Sequence, residues 1–276
     1  MNHPKQKSGT QALWLSALTA EAGRCILTSG GVSARGLILQ GLPVALGISL
    51  AAALLQTAEQ ENDVFSGRTF RDRVVCGGFA LWFAAELWET VRQAQELCWE
   101  QFSSMAVLGI LPLLVWAGWK LEERVFFRAA GVLWWAAALA VLLCALSLKG
   151  QLHWENLLQE PQTGSVRFPL YAEYFAFPLL AQPEENQYRT SAWLPLGVFG
   201  LWVGAALGME LLFGAGTVFP GYELLRAGAL GLISRFDAVF LLVWLAAALF
   251  RVCFLVHLLR RLLGLVWNGR KQEVQG

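Results

Sequence analysis

Charged side chains, histidines and tyrosines are scarce in this 276-residue sequence. Charged residues make up 15% of the chain, against about 25% in an ordinary soluble domain. The formal net charge is +1 and no run of basic residues is present, so the sequence gives no indication of nucleic-acid binding. Only His3, His153 and His257 are available as imidazole ligands, and none has other ligands at metal-site spacing. The sequence therefore predicts no metal site.

Cysteine patterns and catalytic signatures are also lacking. The chain has five cysteines, an odd number scattered mostly through apolar runs, and they are Cys25, Cys76, Cys98, Cys144 and Cys253. They form neither a disulfide framework nor a CxxC pattern, so we interpret them as small buried apolar residues. The motifs GxSxG, GxxxxGK[ST], GxGxxG and HExxH are absent. We therefore predict no enzymatic activity and no cofactor.

Apolar residues are abundant instead. They make up 56% of the chain, and the mean hydropathy is +0.49. Thirteen Trp and seventeen Phe accompany only four Tyr, which is typical of helices that contact lipid and headgroups. No predicted loop is long enough to hold a soluble domain. The sequence therefore predicts an all-α polytopic membrane protein, with a single integral membrane domain over residues 1–276 and the lipid bilayer as its environment.

Eight apolar windows approach the roughly 20 residues that a transmembrane helix needs. They are residues 11–29, 35–57, 74–97, 103–120, 126–148, 166–181, 192–213 and 236–259. With the N-terminus inside, most Lys and Arg residues fall in loops on the inner side, as the positive-inside rule requires. Both termini are therefore predicted to be cytoplasmic.

Two of these windows are interrupted. The first contains Glu21, Gly23 and Arg24, and the window 166–181 contains two prolines and Glu173. Interrupted helices at membrane depth line cavities, where the freed backbone groups can bind a substrate or an ion. The alternative is that both windows form short or interfacial helices. The pattern favours discontinuous helices 1 and 6.

A polar stripe follows one face of the third predicted span. It consists of Glu86, Glu89, Arg92, Gln93 and Glu96. Arg92 is at pairing distance from Glu89 and from Glu96, which indicates a self-neutralised stripe buried against neighbouring helices. Glu86 lies near mid-span without a local partner. Its position fits an ion or substrate pathway and a cross-helix structural pair equally well.

Ionisable residues are concentrated in and before the last span, at Glu223, Arg226, Arg235, Asp237 and Arg251. A charged group at bilayer depth costs about 2.5–3.5 kcal/mol unless it has a partner, access to water or a function. Asp237 falls in the first turn of the last helix, where the helix dipole favours it, and Arg235 either pairs with it or lies at the outer interface. For Arg251 we favour snorkelling toward the cytoplasmic side, with neutralisation of Glu86 as the alternative.

The stretch FPGYELLR followed by ISRFDAVFLLVWLAAALFR resembles the spore germination permeases, the membrane B subunits of germinant receptors. The matching positions are Pro220, Tyr222, Glu223, Arg226, Arg235, Asp237, Trp244 and Arg251. Upstream, LEERVFFRAAGVLWW is similar to the turn that opens the fifth helix of that family, and LHWENLLQE is similar to the Asn-Leu loop before its sixth helix. The resemblance extends over residues 108–260 and is weaker before them.

This resemblance implies a transporter fold of the amino acid, polyamine and organocation superfamily. In that fold helices 1 and 6 are unwound at mid-membrane, and the ligand lies between them beside helices 3 and 8. The expected ligand-binding residues are therefore Gly23, Arg24, Glu86, Tyr171 and Glu173. Gly23 is expected to open the backbone, Arg24 to pair with a carboxylate, Tyr171 to donate a hydrogen bond, and the two glutamates to pair with an amine. The residues expected to have structural or coupling roles are Arg92, Arg235, Asp237 and Arg251.

The sequence departs from the family in three respects. The family has ten spans, whereas eight are predicted here, so the chain resembles a member shortened by two C-terminal helices. Arg24 occupies a position where small residues are usual, and it either neutralises a ligand carboxylate or fills the site. Glu173 follows the pair Phe168 and Pro169 at a slightly longer spacing than in the family.

The function that the resemblance implies is that of a germinant-receptor membrane subunit. Such a subunit lies in a spore inner membrane or a cell membrane, binds a small germinant such as an amino acid, and signals through A- and C-type partner subunits. One alternative is an ion-coupled amino acid transporter. The other is a shortened scaffold subunit that binds no ligand, which the missing helices and Arg24 favour.

Overall fold

The computed structural model describes residues 7–27, 29–30, 33–62, 65, 67–158, 168–180, 192–214, 219–220 and 236–273. These ranges contain the α-helices α1 Lys7–Leu27, α2 Ala34–Asn62, α3 Phe70–Phe102, α4 Ala106–Lys120, α5 Glu123–Leu148, α6 Leu194–Phe213 and α7 Phe236–Glu273. Short 3-10 helices cover Lys149–Gln151, Trp154–Leu158, Ala172–Phe175 and Phe177–Leu179. The strands β1 Ser29–Gly30 and β2 Phe219–Pro220 form an antiparallel pair of two residues each.

Five helical stretches are long and apolar enough to cross a membrane: Ala34–Glu61, Phe70–Phe102, Glu123–Gln151, Leu194–Phe213 and Ala238–Trp267. α4 is apolar but has 15 residues, which is short of the roughly 20 that span a bilayer. α1 has 21 residues, but its polar content keeps it out of this group. The described residues therefore support an all-α integral membrane protein.

The last helix, α7, occupies the centre of the protein. In its apolar window 56% of the residues are buried, against 17–28% in the other four spanning stretches. α7 packs against α1, α3, α4 and α5. Apolar side chains on the outer helices, such as Leu39, Leu81 and Val132, are exposed, at 68%, 76% and 71% of their surface. This is the arrangement expected of helices whose outer faces contact lipid tails.

The predicted interruption of the first helix is wrong for residues 7–27. α1 continues through Glu21, Gly23 and Arg24 to Leu27. A Cβ atom at Gly23 would lie 2.6 Å from Cζ2 of Trp244 and 2.9 Å from Oε1 of Gln93. Gly23 therefore permits close packing of α1 against α7 and α3, and it does not open the backbone.

Residues 168–180, which we call the 168–180 segment, form no continuous α-helix. Two 3-10 turns follow each other, and Pro178 lies at the start of the second. Proline has no N–H to donate to a preceding turn, which disfavours an uninterrupted helix here. The side chains of Ala172, Glu173 and Tyr174 are fully buried. The predicted interruption of window 166–181 is therefore seen in its described residues, and it lies inside the protein.

Candidate functional site

Two ionisable residues lie at the middle of their helices. Arg251 is near the centre of the apolar stretch Ala238–Trp267 of α7, and Glu86 is the central residue of α3, which covers Phe70–Phe102. The side chain of Arg251 is 2% exposed and that of Glu86 is 12% exposed. An isolated charge at this depth would be costly, so the partners of each group decide whether the arrangement is stable.

Two carboxylates from different elements bind the guanidinium of Arg251. Its Nε donates to Oε1 of Glu173 at 2.7 Å, and its Nη2 donates to Oε2 of Glu86 at 2.8 Å. Nη1 donates to Oγ1 of Thr90 at 2.5 Å. The snorkelling interpretation of Arg251 is therefore wrong. The alternative interpretation, that Arg251 neutralises Glu86, agrees with these contacts, and Glu173 is a second partner of Arg251.

Further hydrogen bonds tie these residues to α1 and to the 168–180 segment. The hydroxyl of Ser16 in α1 donates to Oε1 of Glu173 at 2.8 Å. The backbone N–H of Ala172 donates to Oε1 of Glu86 at 2.6 Å. Ala172 begins a 3-10 turn, and the first N–H groups of a helical turn lack partners within it. We call Ser16, Glu86, Thr90, Glu173 and Arg251 the charge cluster.

α7 also holds the far end of the 168–180 segment. Arg261 donates hydrogen bonds to the backbone carbonyl of Leu179 and to the carboxylate of Glu123 at the start of α5. Arg251 and Arg261 thus bind the segment at Glu173 and at Leu179. Because both arginines belong to one helix, a movement of α7 would move both contacts together.

A second polar group lies near the end of α1. Glu21 is 3% exposed, and Oε1 of Glu21 pairs with Nη2 of Arg24 at 2.7 Å. Tyr171 donates its hydroxyl to Oε2 of Glu21 at 2.9 Å. The guanidinium of Arg24 lies 4.3 Å from the ring centroid of Trp202. Arg24 is therefore neutralised within the chain by Glu21.

Two buried polar atoms near the charge cluster have no hydrogen-bond partner among the described residues. They are Oε2 of Glu173 and Oη of Tyr174, and both residues are 0% exposed. The ring of Tyr174 packs against that of Tyr171 at a centroid distance of 5.6 Å. A buried polar atom without a partner costs about 1–3 kcal/mol. Such atoms call for an explanation, for example a functional role or a bound ion or water.

The structure brings three of the five expected ligand-binding residues together. Glu86 and Glu173 belong to the charge cluster, and the ring of Tyr171 lies 5.7 Å from the guanidinium carbon of Arg251. Arg24 joins this group through Glu21 and Tyr171, whereas Gly23 serves helix packing. Of the residues expected to have structural or coupling roles, Arg235 and the side chain of Asp237 lie outside the described part of the chain.

The Arg92 ion pairs in the polar stripe of α3 form as predicted, but they are not buried. Arg92 binds Glu89 and Glu96, each at 2.7 Å. The side chains of these three residues are 44–50% exposed, so the predicted burial against neighbouring helices is wrong. Exposed ion pairs contribute about 0–1 kcal/mol. Of the predicted stripe, only Glu86 enters the charge cluster.

Three polar residues that the structure places in the site were not predicted from the sequence: Ser16, Glu21 and Thr90. Glu21 and Arg24 are three positions apart on α1, which is a spacing that allows pairing and could have indicated their contact. Thr90 follows Glu86 by one helical turn and donates to its backbone carbonyl at 2.8 Å. Ser16 carries no local signal, because its partner Glu173 is 157 positions away.

The charge balance indicates what the charge cluster can bind. It contains the carboxyl groups of Glu86 and Glu173 and a single guanidinium, that of Arg251. With both carboxyls ionised the cluster carries one excess negative charge, and the Glu21–Arg24 pair beside it adds none. A proton or a positively charged group is therefore complementary to it.

Comparison of the chain with family models, curated proteins and solved structures finds no match.

Proposed function

We propose that this chain is a membrane subunit that binds a small amino-acid-like ligand at the charge cluster and is of the germinant-receptor type that its sequence resembles. The observation that carries the proposal is the burial of Arg251, Glu86 and Glu173 in one hydrogen-bonded group where α3, α7 and the 168–180 segment meet. An amino acid has one ammonium and one carboxylate. Its ammonium is complementary to the excess carboxylate, and its carboxylate is complementary to a guanidinium.

The cost of the charge cluster supports a functional role. Well-packed apolar residues in place of a buried ion group are often neutral or stabilising, so folding alone gives little reason to keep these charges. Ionisable groups inside membrane proteins commonly mark substrate or ion pathways. Oε2 of Glu173, whose other carboxyl oxygen binds Arg251, receives no hydrogen bond from the described residues and adds an acceptor for a ligand.

The interrupted 168–180 segment supports the same proposal. The N–H of Ala172 already donates to Glu86, so backbone groups of this segment take part in the polar site. Transporters use interrupted helices in this way at the bilayer midplane. An eight-span transporter-like fold in a spore inner membrane, with cytoplasmic termini and with A- and C-type subunits as partners, is part of the proposal.

A second candidate function is ion-coupled amino acid transport. The excess carboxylate of the charge cluster favours it, because a coupling cation could neutralise that charge. A receptor and a transporter would share the same ligand site. They differ in whether the ligand crosses the membrane.

We expect one or a few amino acids to raise the melting temperature of the purified protein in detergent. A ligand at one hundred times its Kd stabilises the folded state by about 2.7 kcal/mol. The Glu173→Gln variant is expected to lose this shift, because it removes the carboxylate bound to Arg251. The matched control is Glu96→Gln, which removes a half-exposed carboxylate of α3 and is expected to keep the shift.

Either of two results would contradict this expectation. The absence of a shift across the standard amino acids would favour the scaffold alternative, and a shift that survives in Glu173→Gln would place the ligand elsewhere. Uptake of the labelled ligand into vesicles then separates the two remaining functions. Uptake that collapses with the ion gradient indicates a transporter, whereas binding without uptake indicates a receptor.

A further inference from the structure

Two carboxyl groups share one side of the guanidinium of Arg251. The Nε and Nη2 hydrogens of an arginine point the same way, and together they commonly bind the two oxygens of a single carboxylate. Here Nε binds Glu173 and Nη2 binds Glu86. The two carboxyl groups are therefore neighbours, within reach of a hydrogen bond between them.

Two adjacent carboxyl groups make that hydrogen bond only when one of them carries a proton, since two carboxylates are both acceptors. Oε2 of Glu173 is buried and receives no hydrogen bond from the described residues. A proton shared by the pair would make one carboxyl group a donor to the other. It would also remove the repulsion between two like charges in a buried site.

Among the described residues, the surroundings provide one positive charge for the two carboxyl groups. The ionisable groups around the pair in the described part of the chain are Glu21 and Arg24 on α1, Glu89 and Arg92 on α3, Tyr171 and Tyr174 on the 168–180 segment, and Arg251 on α7. Arg24 is bound to Glu21 and Arg92 to Glu89, so each of these arginines has its own acidic partner. Arg251 remains as the cation that contacts both Glu86 and Glu173.

We propose that Glu86 and Glu173 hold one proton between them in the ligand-free protein, and that the primary ammonium group of a ligand displaces this proton on binding. The inference rests on the proposed function, because it concerns the same site. In the exchange the O–H bond of the carboxylic acid breaks, the proton leaves to water, and N–H···O hydrogen bonds form to the ammonium. One positive charge enters for each that leaves, so the positive charge that faces the two carboxyl groups is unchanged.

A primary ammonium is complementary to the carboxyl oxygens of the site, because it carries a positive charge and donates directional hydrogen bonds. It has three N–H donors, and the two carboxyl groups offer several acceptor oxygens, among them Oε2 of Glu173, which receives no hydrogen bond from the described residues. The ligand class is therefore a small molecule with an unsubstituted amino group.

Infrared spectroscopy of the purified full chain without ligand tests the proton directly. We expect the carbonyl stretch of a protonated carboxylic acid at neutral pH, and we expect a glutamate-specific carbon-13 label to shift this band. The band is expected to disappear in Glu86→Gln and to persist in Glu96→Gln. The labelled wild type needs no variant to fold, so a spectrum without a label-sensitive carboxylic acid band overturns the inference.

The exchange is tested by adding methylammonium chloride or L-alanine to the same sample. Both are expected to remove the band at a concentration at least about tenfold lower than sodium chloride or tetramethylammonium chloride needs. Removal by sodium at equal concentration, or a band that persists with both amines, overturns the exchange. If the band is missing but an amino acid raises the melting temperature, the shared proton is rejected and the proposed function stands. If the band is present but no amino acid raises the melting temperature, the shared proton stands and the proposed function is rejected.

Discussion

The Arg251→Met variant is expected to lose about 3–5 kcal/mol of folding free energy, because removing one member of a buried ion pair leaves an uncompensated charge. Methionine fills a similar apolar volume but supplies no cation to Glu86 and Glu173, whose side chains are 12% and 0% exposed. Thermal unfolding of the protein in detergent and in lipid vesicles measures the loss. A variant as stable as the wild type would show that the charge cluster does not stabilise the fold.

Two further variants separate charge from packing at this position. Arg92→Met removes an arginine whose ion pairs are half-exposed, and it is expected to change stability by no more than about 1 kcal/mol. The triple variant that combines Arg251→Met with Glu86→Gln and Glu173→Gln is expected to recover most of the lost stability, because no unpaired charge then remains. If the triple variant is no more stable than Arg251→Met alone, Arg251 stabilises the protein through packing.

The spanning helices could be predicted because lipid imposes a local requirement. A helix that crosses the bilayer needs a long apolar run, and such runs are visible without knowledge of tertiary contacts. The windows 35–57, 126–148 and 192–213 lie within, or within two residues of, α2, α5 and α6. The described ends of α3 and α7 extend beyond their windows, because polar helix ends are stable in water or at headgroups and carry no hydropathy signal.

The first helix shows why a break could not be predicted from composition. Glycine and arginine in an apolar run are typical of an interruption, yet α1 is continuous through both. Gly23 lies where the ring of Trp244 approaches the backbone, and Arg24 pairs with Glu21 on its own helix. The packing at Gly23 and the ion pair of Arg24 both keep the helix continuous. Both depend on side-chain contacts that the helix propensities of single residues do not describe.

The residues of the charge cluster were easier to predict from the sequence than the contacts between them. Glu86 and Glu173 are conspicuous because acidic residues are rare in apolar windows. The contact of Arg251 with Glu173 joins residues 78 positions apart, and sequence periodicity relates only residues within a few turns of each other. The local pattern around Arg251 therefore favoured snorkelling, with pairing to Glu86 as the alternative. The packing of α7 between α1, α3 and α5 decided between them.

The packing of α7 against α4 leads to a second large expected effect, at Gly118. A Cβ atom there would lie 2.5 Å from the backbone oxygen of Cys253 and 2.8 Å from Cβ of Val256. Backbone atoms cannot turn aside as a flexible side chain can, so Gly118→Ala has to push α4 away from α7. We expect a loss of about 1–3 kcal/mol in the free energy of unfolding, as for other overpacked sites.

Gly109 provides the matched control on the same helix. Apart from its chain neighbours and the backbone of its own helix, a Cβ atom at Gly109 would meet no atom within 4 Å. Gly109→Ala is therefore expected to gain up to about 1 kcal/mol from the higher helix propensity of alanine. The two alanine variants are thus expected to move the melting temperature in opposite directions. Equal shifts would contradict the close contact of α4 with α7. Because α7 carries both Arg251 and Arg261, Gly118→Ala should also weaken amino-acid binding at the charge cluster, and Gly109→Ala should leave that binding unchanged.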